Sequence, residues 1–272
     1  MTASRAPIDG IELEYEVRGA GDPVLFIHGG LCAHWFKNLL DQPDLSGGHR
    51  LIRYHRVGYA GSDRVDGPVS IRRQAAHSRE LMRHLDIERA HVVGHSSGAD
   101  IALQLALDHP ELVRSLALLE TALLAVPTGP FAGEATHRYQ IGDKAAAVDI
   151  WLRGVAGRDY RVTLDRVLPG AFDQAVDDAD TFFGQELPAV REWSFGPEEA
   201  ERVEQPVLAV LGARSKHVTS AFDQRHDLLL LWLPDVRPFV LADATHLMHL
   251  DNPTGMAERL ARFFADVATT RS

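Results

Sequence analysis

The amino-acid sequence predicts an α/β fold: a mostly parallel central sheet with an N-terminal antiparallel hairpin and helices on both faces. Short apolar runs alternate along the chain with longer segments of helical periodicity, which is the pattern of strand–helix–strand units. Most of these runs are apolar on both faces, as strands buried in a parallel sheet must be. With 272 residues, 45% of them hydrophobic, the chain is long enough to bury a full core.

The predicted elements follow one another in a regular order. Asp9 and Gly10 stand between two alternating segments and form a favoured turn pair for a β-hairpin. Further strands are expected at the apolar runs, at residues 23–27, 50–54, 91–93, 115–119, 206–211 and 238–241. Helices are expected at residues 70–85, with Ser70 as the N-cap, and at residues 99–107 and 252–267.

The segment between residues 121 and 197 departs from this rhythm. Strand-like runs disappear, and helical stretches take over at residues 144–155 and 161–168, followed by Pro169 and Gly170. A helical insertion between two strands of a parallel sheet is expected to lie over the strand ends as a lid. We therefore expect a core domain formed by residues 1–121 and 198–272, and a helical lid formed by residues 122–197.

Charge and cysteine content narrow the range of partners and compartments. The formal net charge is −10, from 28 basic and 38 acidic side chains, which argues against nucleic acid or an anionic membrane as partners. Cys32 is the only cysteine, so a reducing compartment is expected. The N-terminus lacks the apolar segment of a signal peptide, and the longest apolar run, residues 228–233, is too short to span a bilayer. We expect a soluble, cytoplasmic protein and leave a homodimer open.

Residues 94–98 read Gly-His-Ser-Ser-Gly, a Gly-x-Ser-x-Gly motif between a predicted strand and a predicted helix. The chain must turn sharply there, so the neighbours of Ser96 must be small, and both flanking residues are glycines. The turn also places the Ser96 hydroxyl at a helix N-terminus, where the dipole favours developing negative charge. This context predicts Ser96 as a nucleophile.

A serine nucleophile needs a general base and donors for an oxyanion. His246 follows the last predicted strand and precedes the final helix, where the order nucleophile, acid, base along the chain places the base. His249, three residues later, is the alternative base. The backbone N–H of Ser97, together with that of Gly30 or Leu31 in the turn after residues 23–27, is expected to form the oxyanion hole.

These motifs together resemble the α/β-hydrolase superfamily over nearly the whole chain. The landmarks appear in order at residues 26–30, 56–63, 94–98 and 245–246. The resemblance implies hydrolysis of esters, lactones, epoxides or carbon–halogen bonds. A serine at position 96 argues against epoxide hydrolases and haloalkane dehalogenases, which attack with a carboxylate.

The acid of the triad departs from the majority pattern of this superfamily. Most members place it after the strand equivalent to residues 206–211, where this chain has Ser215. Glu120, directly after the strand at residues 115–119, is the predicted acid, because a charge at the end of such an apolar run is costly without a partner. Some relatives resemble this arrangement, among them certain dehalogenases and the serine lactonases that open the macrocycle zearalenone, which are also similar in the Ser-Ser-Gly-Ala continuation of the motif.

The hydrolase chemistry implied by the resemblance needs neither a cofactor nor a metal. His91 and His95 have the four-residue spacing of a metal-ligand pair, but they span a strand and the turn after it rather than one helix face. We therefore predict no metal site.

Four large aromatic residues in the predicted lid suggest a small hydrophobic or aromatic ester or lactone as substrate. The alternative is that they form the core of the lid itself. These residues are Trp151, Phe182, Phe183 and Trp193. The same triad would also serve a lyase, a cofactor-free oxygenase or a carbon–carbon bond hydrolase, and a non-catalytic ligand receptor on this fold is a further alternative.

Overall fold

The strands that the structure describes form one eight-stranded sheet in the order β1-β2-β4-β3-β5-β6-β7-β8. The fold is seen in a computed structural model, which describes residues 3–270. β2 pairs antiparallel with β1 and β4, and the pairs from β4 to β8 are parallel. The strands are β1 (Ser4–Ile8), β2 (Ile11–Arg18), β3 (Asp22–Ile27), β4 (His49–Tyr54), β5 (Ala90–His95), β6 (Val113–Leu119), β7 (Val207–Gly212) and β8 (Val236–Leu241).

Helices fill the connections between the parallel strands. In the core they are α1 (Lys37–Leu40), α2 (Pro43–Ser46), α3 (Ile71–His84), α4 (Ser97–Asp108), α11 (Ala221–Trp232), α12 (Met248–Asp251) and α13 (Pro253–Thr270), with 3-10 turns at Pro110–Leu112 and Ser215–His217. Between β6 and β7 they are α5 (Phe131–Gln140), α6 (Lys144–Ala156), α7 (Tyr160–Val167), α8 (Ala171–Asp177), a π-helical segment (Asp180–Glu186), α9 (Leu187–Glu192) and α10 (Pro197–Ala200). Within residues 3–270, no helix has the length and apolarity needed to cross a bilayer.

Local sequence signals place the edges of several elements. Asp9 and Gly10 both have positive φ angles, 52° and 81°, which a type I′ hairpin turn requires, and they set the register Ile8↔Ile11. Ser70 accepts a hydrogen bond of 3.1 Å from the N–H of Arg73 and caps α3. The predicted hairpin and fold class are confirmed.

The two faces of the sheet bury separate apolar layers. Leu25 and Ile27 belong to the layer that packs against α3 and α4, whereas Val24 and Phe26 belong to the layer that packs against α13. This division follows from the alternation of side chains along a strand, and β3 is wholly apolar at these four positions because both of its faces are covered.

Residues 122–197, hereafter the helical insertion, have an apolar layer of their own. Leu152, Phe182 and Phe183 pack in this layer together with Leu31 and Trp35, which come from the segment after β3. The helical insertion therefore packs over the end of the sheet at which the parallel strands finish.

Candidate active site

Ser96 occupies the turn from β5 into α4 with a φ of 53° and a ψ of −125°. A non-glycine residue rarely adopts this backbone conformation, and such strain concentrates at functional sites. The flanking glycines permit the turn, since a Cβ at Gly94 would collide with the backbone of Ala99 and one at Gly98 with the carbonyl of Ile27. The motif is therefore required by close packing as well as by its chemistry.

Glu120 and His246 meet at the carboxyl end of the sheet. Glu120 directly follows β6 with a positive φ of 44°, and its Oε2 lies 2.7 Å from His246 Nδ1. Its other oxygen, Oε1, accepts a hydrogen bond of 2.7 Å from the N–H of Gly212 at the end of β7. Both side chains are buried. The structure thus brings the predicted base and the predicted acid into direct contact.

Burial shifts the titration of this pair. Burial raises the pKa of Glu120 to about 7, an effect that the nearby Ser215 hydroxyl and the hydrogen bond from the Gly212 N–H oppose. Burial lowers the pKa of His246, and the nearby Arg225 guanidinium lowers it further. A neutral imidazole that donates Nδ1–H to Glu120 leaves Nε2 free to accept a proton. Ser215, at the usual position of the acid, is fully buried.

A pocket opens beside the turn that carries Ser96, with a cavity of about 50 Å³. Ser96 and His246 both line it, and so do the three predicted oxyanion-hole residues, Gly30, Leu31 and Ser97. Ser97 begins α4, and the first N–H groups of a helix have no partner within it. The Gly30 carbonyl accepts bonds of 2.9 Å from Cys32 N and from Trp35 Nε1, which fix the turn after β3.

Two of the four predicted aromatic contacts lie at this pocket and two do not. Trp151 and Phe182 line it, with their rings 4.8 Å apart in an edge-to-face arrangement. Phe183 instead stacks on Tyr139 inside the helical insertion. Trp193 donates a hydrogen bond of 2.8 Å to Gln104 Oε1 and lies outside the pocket. Phe183 and Trp193 are therefore not part of the lining of this pocket.

The other histidines near the site have different surroundings. His249, the alternative base, is fully buried beside Trp35 and Phe36 and does not line the pocket. His95 Nε2 donates a hydrogen bond of 3.0 Å to the backbone carbonyl of His246, which fixes the loop that carries the base. His91 bonds to Ser115 instead. Within residues 3–270, no three histidine, cysteine or acidic side chains come together as metal ligands.

Two charged residues at the pocket escape prediction from the sequence. Glu186, in the π-helical segment, bonds to the hydroxyls of Ser97 and Tyr59 and lies 2.9 Å from Arg56 Nη2. Arg225, on α11, is the other. Neither belongs to a motif, and only the packing of their helices brings them to the pocket.

Comparison with known proteins places this geometry in a family. A family model described as the alpha/beta hydrolase fold matches residues 22–165, more than half of the chain. The protein is 29% identical over 257 residues to the dihydrolipoyllysine-residue acetyltransferase component of the acetoin cleaving system of Cupriavidus necator, over 90% of this chain and 64% of that protein. It is 36% identical over 122 residues to 2-hydroxymuconate semialdehyde hydrolase of a Pseudomonas strain, over 43% of each chain.

The chain thus spans less than two thirds of the length of both curated relatives. Among solved structures, the enol-lactonase from Burkholderia xenovorans LB400 shares the fold, with a TM-score of 0.79 and 21% identity over 98% of this chain and 100% of that one. The matched family, the order of the strands and the strained serine turn lead to one conclusion: the chain belongs to the α/β-hydrolase family.

Proposed function

We propose that this protein hydrolyses a carboxylic ester or lactone through an acyl-enzyme on Ser96. The observation that supports this most strongly is the 2.7 Å hydrogen bond between Glu120 and His246, at a pocket that Ser96 also lines. A nucleophile, a base and a group that orients the base are the parts that acyl transfer needs.

In the first half of the reaction, Ser96 Oγ forms a bond to the carbonyl carbon while His246 Nε2 takes the hydroxyl proton. Glu120 stays ionised, orients the imidazole and stabilises its cation. The N–H of Ser97, with that of Gly30 or Leu31, donates hydrogen bonds to the oxyanion of the tetrahedral intermediate.

The reaction then continues in two steps, collapse of this intermediate to an acyl-enzyme and hydrolysis of the acyl-enzyme. The bond from the carbonyl carbon to the leaving oxygen breaks, and His246 returns its proton to that oxygen, which releases an alcohol or opens a lactone. Water next attacks the acyl group on Ser96, with His246 again accepting a proton. The carbon–Oγ bond breaks, the proton returns to Ser96, and a carboxylic acid is released.

The walls of the pocket favour an apolar or aromatic group on the substrate. Trp151, Leu152, Phe182 and Leu187 of the helical insertion line the cavity of about 50 Å³. A macrocyclic resorcylic lactone such as zearalenone is one candidate substrate of the proposed class.

A panel of substrates tests the proposal. The purified protein is assayed with 4-nitrophenyl acetate and butyrate, a γ-lactone and zearalenone, beside the matched variant Ser96→Ala. We expect turnover of at least one substrate, and Ser96→Ala should lose about 10⁴- to 10⁶-fold in rate while keeping its melting temperature. Mass spectrometry of the stopped reaction should find the acyl group on the peptide that contains Ser96. A Ser96→Ala variant that keeps a tenth of the activity would contradict the proposal.

Carbon–carbon bond hydrolysis is the second candidate, because the same triad would serve it. The chain is 36% identical over 122 residues to a 2-hydroxymuconate semialdehyde hydrolase. Here the group that leaves from the carbonyl would be a carbon acid instead of an oxygen. Product analysis separates the two, since a diketone cleaved in this way yields a carboxylate and a ketone. Turnover of such a diketone without turnover of any ester would favour this candidate.

A further inference from the structure

Arg225 is a buried cation that the proposed mechanism does not use. It lies on α11, lines the pocket beside His246 and is only 2% exposed. Within residues 3–270, no carboxylate oxygen lies within 4 Å of its guanidinium, whereas the other buried arginine, Arg56, pairs with Glu186 at 2.9 Å. Asp100 and Glu120 act on this cation from beyond that distance, and both raise its pKa against the lowering by burial. A buried cation without a carboxylate in direct contact is still costly, so Arg225 requires an explanation.

The hydrogen bonds of the Arg225 guanidinium end on neutral acceptors. Nε and Nη2 donate to the carbonyl of Val126 at 3.2 and 2.8 Å, and Nη2 also donates to Thr128 Oγ1 at 2.9 Å. Nη1 donates to the carbonyl of Thr121 at 3.5 Å. These bonds use four of the five N–H groups. Among the described residues, the second N–H of Nη1 has no acceptor.

The acidic groups around Arg225 are paired elsewhere or lie beyond contact distance. Glu120 bonds to His246 and to Gly212, and Glu186 pairs with Arg56. Burial raises the pKa of Asp100 well above its ordinary value, and the Arg225 guanidinium acts against that shift. Burial lowers the pKa of Arg225 to about 10, which leaves the guanidinium charged at neutral pH.

We propose that Arg225 binds a carboxylate carried by the substrate, so that the protein selects an ester or lactone with a second, ionised acid group. Thr128 and Leu124, which line the pocket with Arg225, flank this part of it. An incoming carboxylate supplies the missing opposite charge in a site of low dielectric, where such hydrogen bonds are strong. The inference rests on the proposed function, since it names the substrate class of that same pocket.

Two pairs of esters test the inference, each with one carboxyl group that is ionised in one member and methylated in the other. For the leaving group the pair is 4-acetoxybenzoate and its methyl ester, and for the acyl group it is mono-4-nitrophenyl glutarate and its methyl ester. In the wild-type protein we expect the ratio of kcat/KM, anionic over neutral, to exceed one in at least one pair. Arg225→Gln should lower that ratio about 10- to 100-fold, mainly through KM, since a hydrogen bond to a charged group is lost.

A structural role for Arg225, as a clip for residues 121–128, makes a different prediction. Thr128→Val removes one bond of the clip but leaves the cation in place, so it should keep the charge ratio of the wild type. Arg225→Lys keeps the charge without the planar fork, and should keep part of the ratio. If Thr128→Val and Arg225→Gln instead slow both members of a pair equally, Arg225 is structural and the inference is overturned.

Direct binding separates this inference from the proposed function. Calorimetry on Ser96→Ala should detect benzoate but not benzamide, and the added change Arg225→Gln should abolish benzoate binding. If no ester is hydrolysed but benzoate binding depends on Arg225, the proposed function fails and the anion site stands. If esters are hydrolysed with no preference for charge and benzoate does not bind, the proposed function stands and the anion site fails.

Discussion

At the scale of single residues, the proposed triad takes its acid from the end of β6, whereas the resemblance to the superfamily would place it after β7. Glu120 and Ser215 lie side by side in the buried space next to His246, and only Glu120 can hold a negative charge. The hydroxyl of Ser215 stabilises the ionised form of Glu120 instead of replacing it. The two positions are therefore alternative sites for one charge.

Exchanging the acid between these positions tests that statement. Glu120→Gln keeps the volume of the side chain but removes the charge that stabilises a protonated His246, so kcat should fall by up to about 10⁴. Ser215→Asp added to Glu120→Gln should restore part of the activity. Ser215→Asp alone sets two carboxylates together in a buried space, and we expect it to lower the melting temperature. Activity of Glu120→Gln within a few-fold of wild type would show that Glu120 is not the acid.

The dependence of kcat/KM on pH should report the protonation of the same pair, Glu120 and His246. The active form has Glu120 ionised and His246 neutral, so a fall in pH adds a proton to the pair and abolishes activity. Because burial raises the pKa of Glu120 to about 7, we expect the acid limb of the profile near that pH. In Glu120→Gln no charge stabilises the imidazolium, so the pKa of His246 falls further and the limb of the residual activity should move to lower pH. An unchanged limb would show that another group titrates.

At the scale of elements, the sequence predicts the sheet better than the helices. The turn pair Asp9-Gly10 and the continuous apolar runs leave little choice of structure, and the strands appear at those runs. α11 is different: residues 228–231 are all leucine, so no periodic apolar face identifies the helix, and Leu231 is 77% exposed. The π-helical segment Asp180–Glu186 has no sequence signal, because only its packing selects the wider turn.

The same distinction applies to the site. The end of a strand is predictable, and so is the meeting of side chains at the carboxyl edge of a parallel sheet, which brings Glu120 to His246. The side chains of Glu186 and Arg225 reach the pocket from helices, and their direction depends on how those helices pack. The aromatic residues of the helical insertion illustrate this, since only Trp151 and Phe182 of the four line the pocket.

Two tryptophans of the helical insertion form a matched pair for a test of substrate contact. Trp151→Ala should lower kcat/KM for a bulky aromatic ester more than for an acetate, because apolar contact worth about 1–3 kcal/mol is lost. Trp193→Ala lies outside the pocket and should lower the melting temperature while leaving that selectivity as it is. Measuring kcat/KM for both esters with both variants shows which tryptophan contacts the substrate. A change of selectivity in Trp193→Ala alone would reverse the assignment.

At the scale of the whole molecule, the helical insertion is joined to the core in two different ways. Its later part forms hydrogen bonds and an ion pair with the loop after β4. Thr181 and Gln185 donate hydrogen bonds of 2.7 Å to the carbonyls of Gly58 and Val65, respectively. Glu186 forms the ion pair, with Arg56. The polar side-chain bonds described for α5 and α6 run within the insertion, such as Lys144 to Asp180. Their packing on the core is apolar.

The consequence concerns how a substrate enters. Raising the later part would strip a buried ion pair of its partner, which is strongly unfavourable, whereas the apolar packing of α5 and α6 on the core is non-directional and includes no such pair. The insertion should then behave as a hinged flap whose fixed edge is the π-helical segment and whose free edge is α5 and α6. Amide hydrogen exchange should accordingly be faster in α5 and α6 than in residues 180–186. When the pocket is saturated with a slowly hydrolysed substrate, the exchange in α5 and α6 should become slower. Equal protection of both parts would mean that entry occurs without the flap.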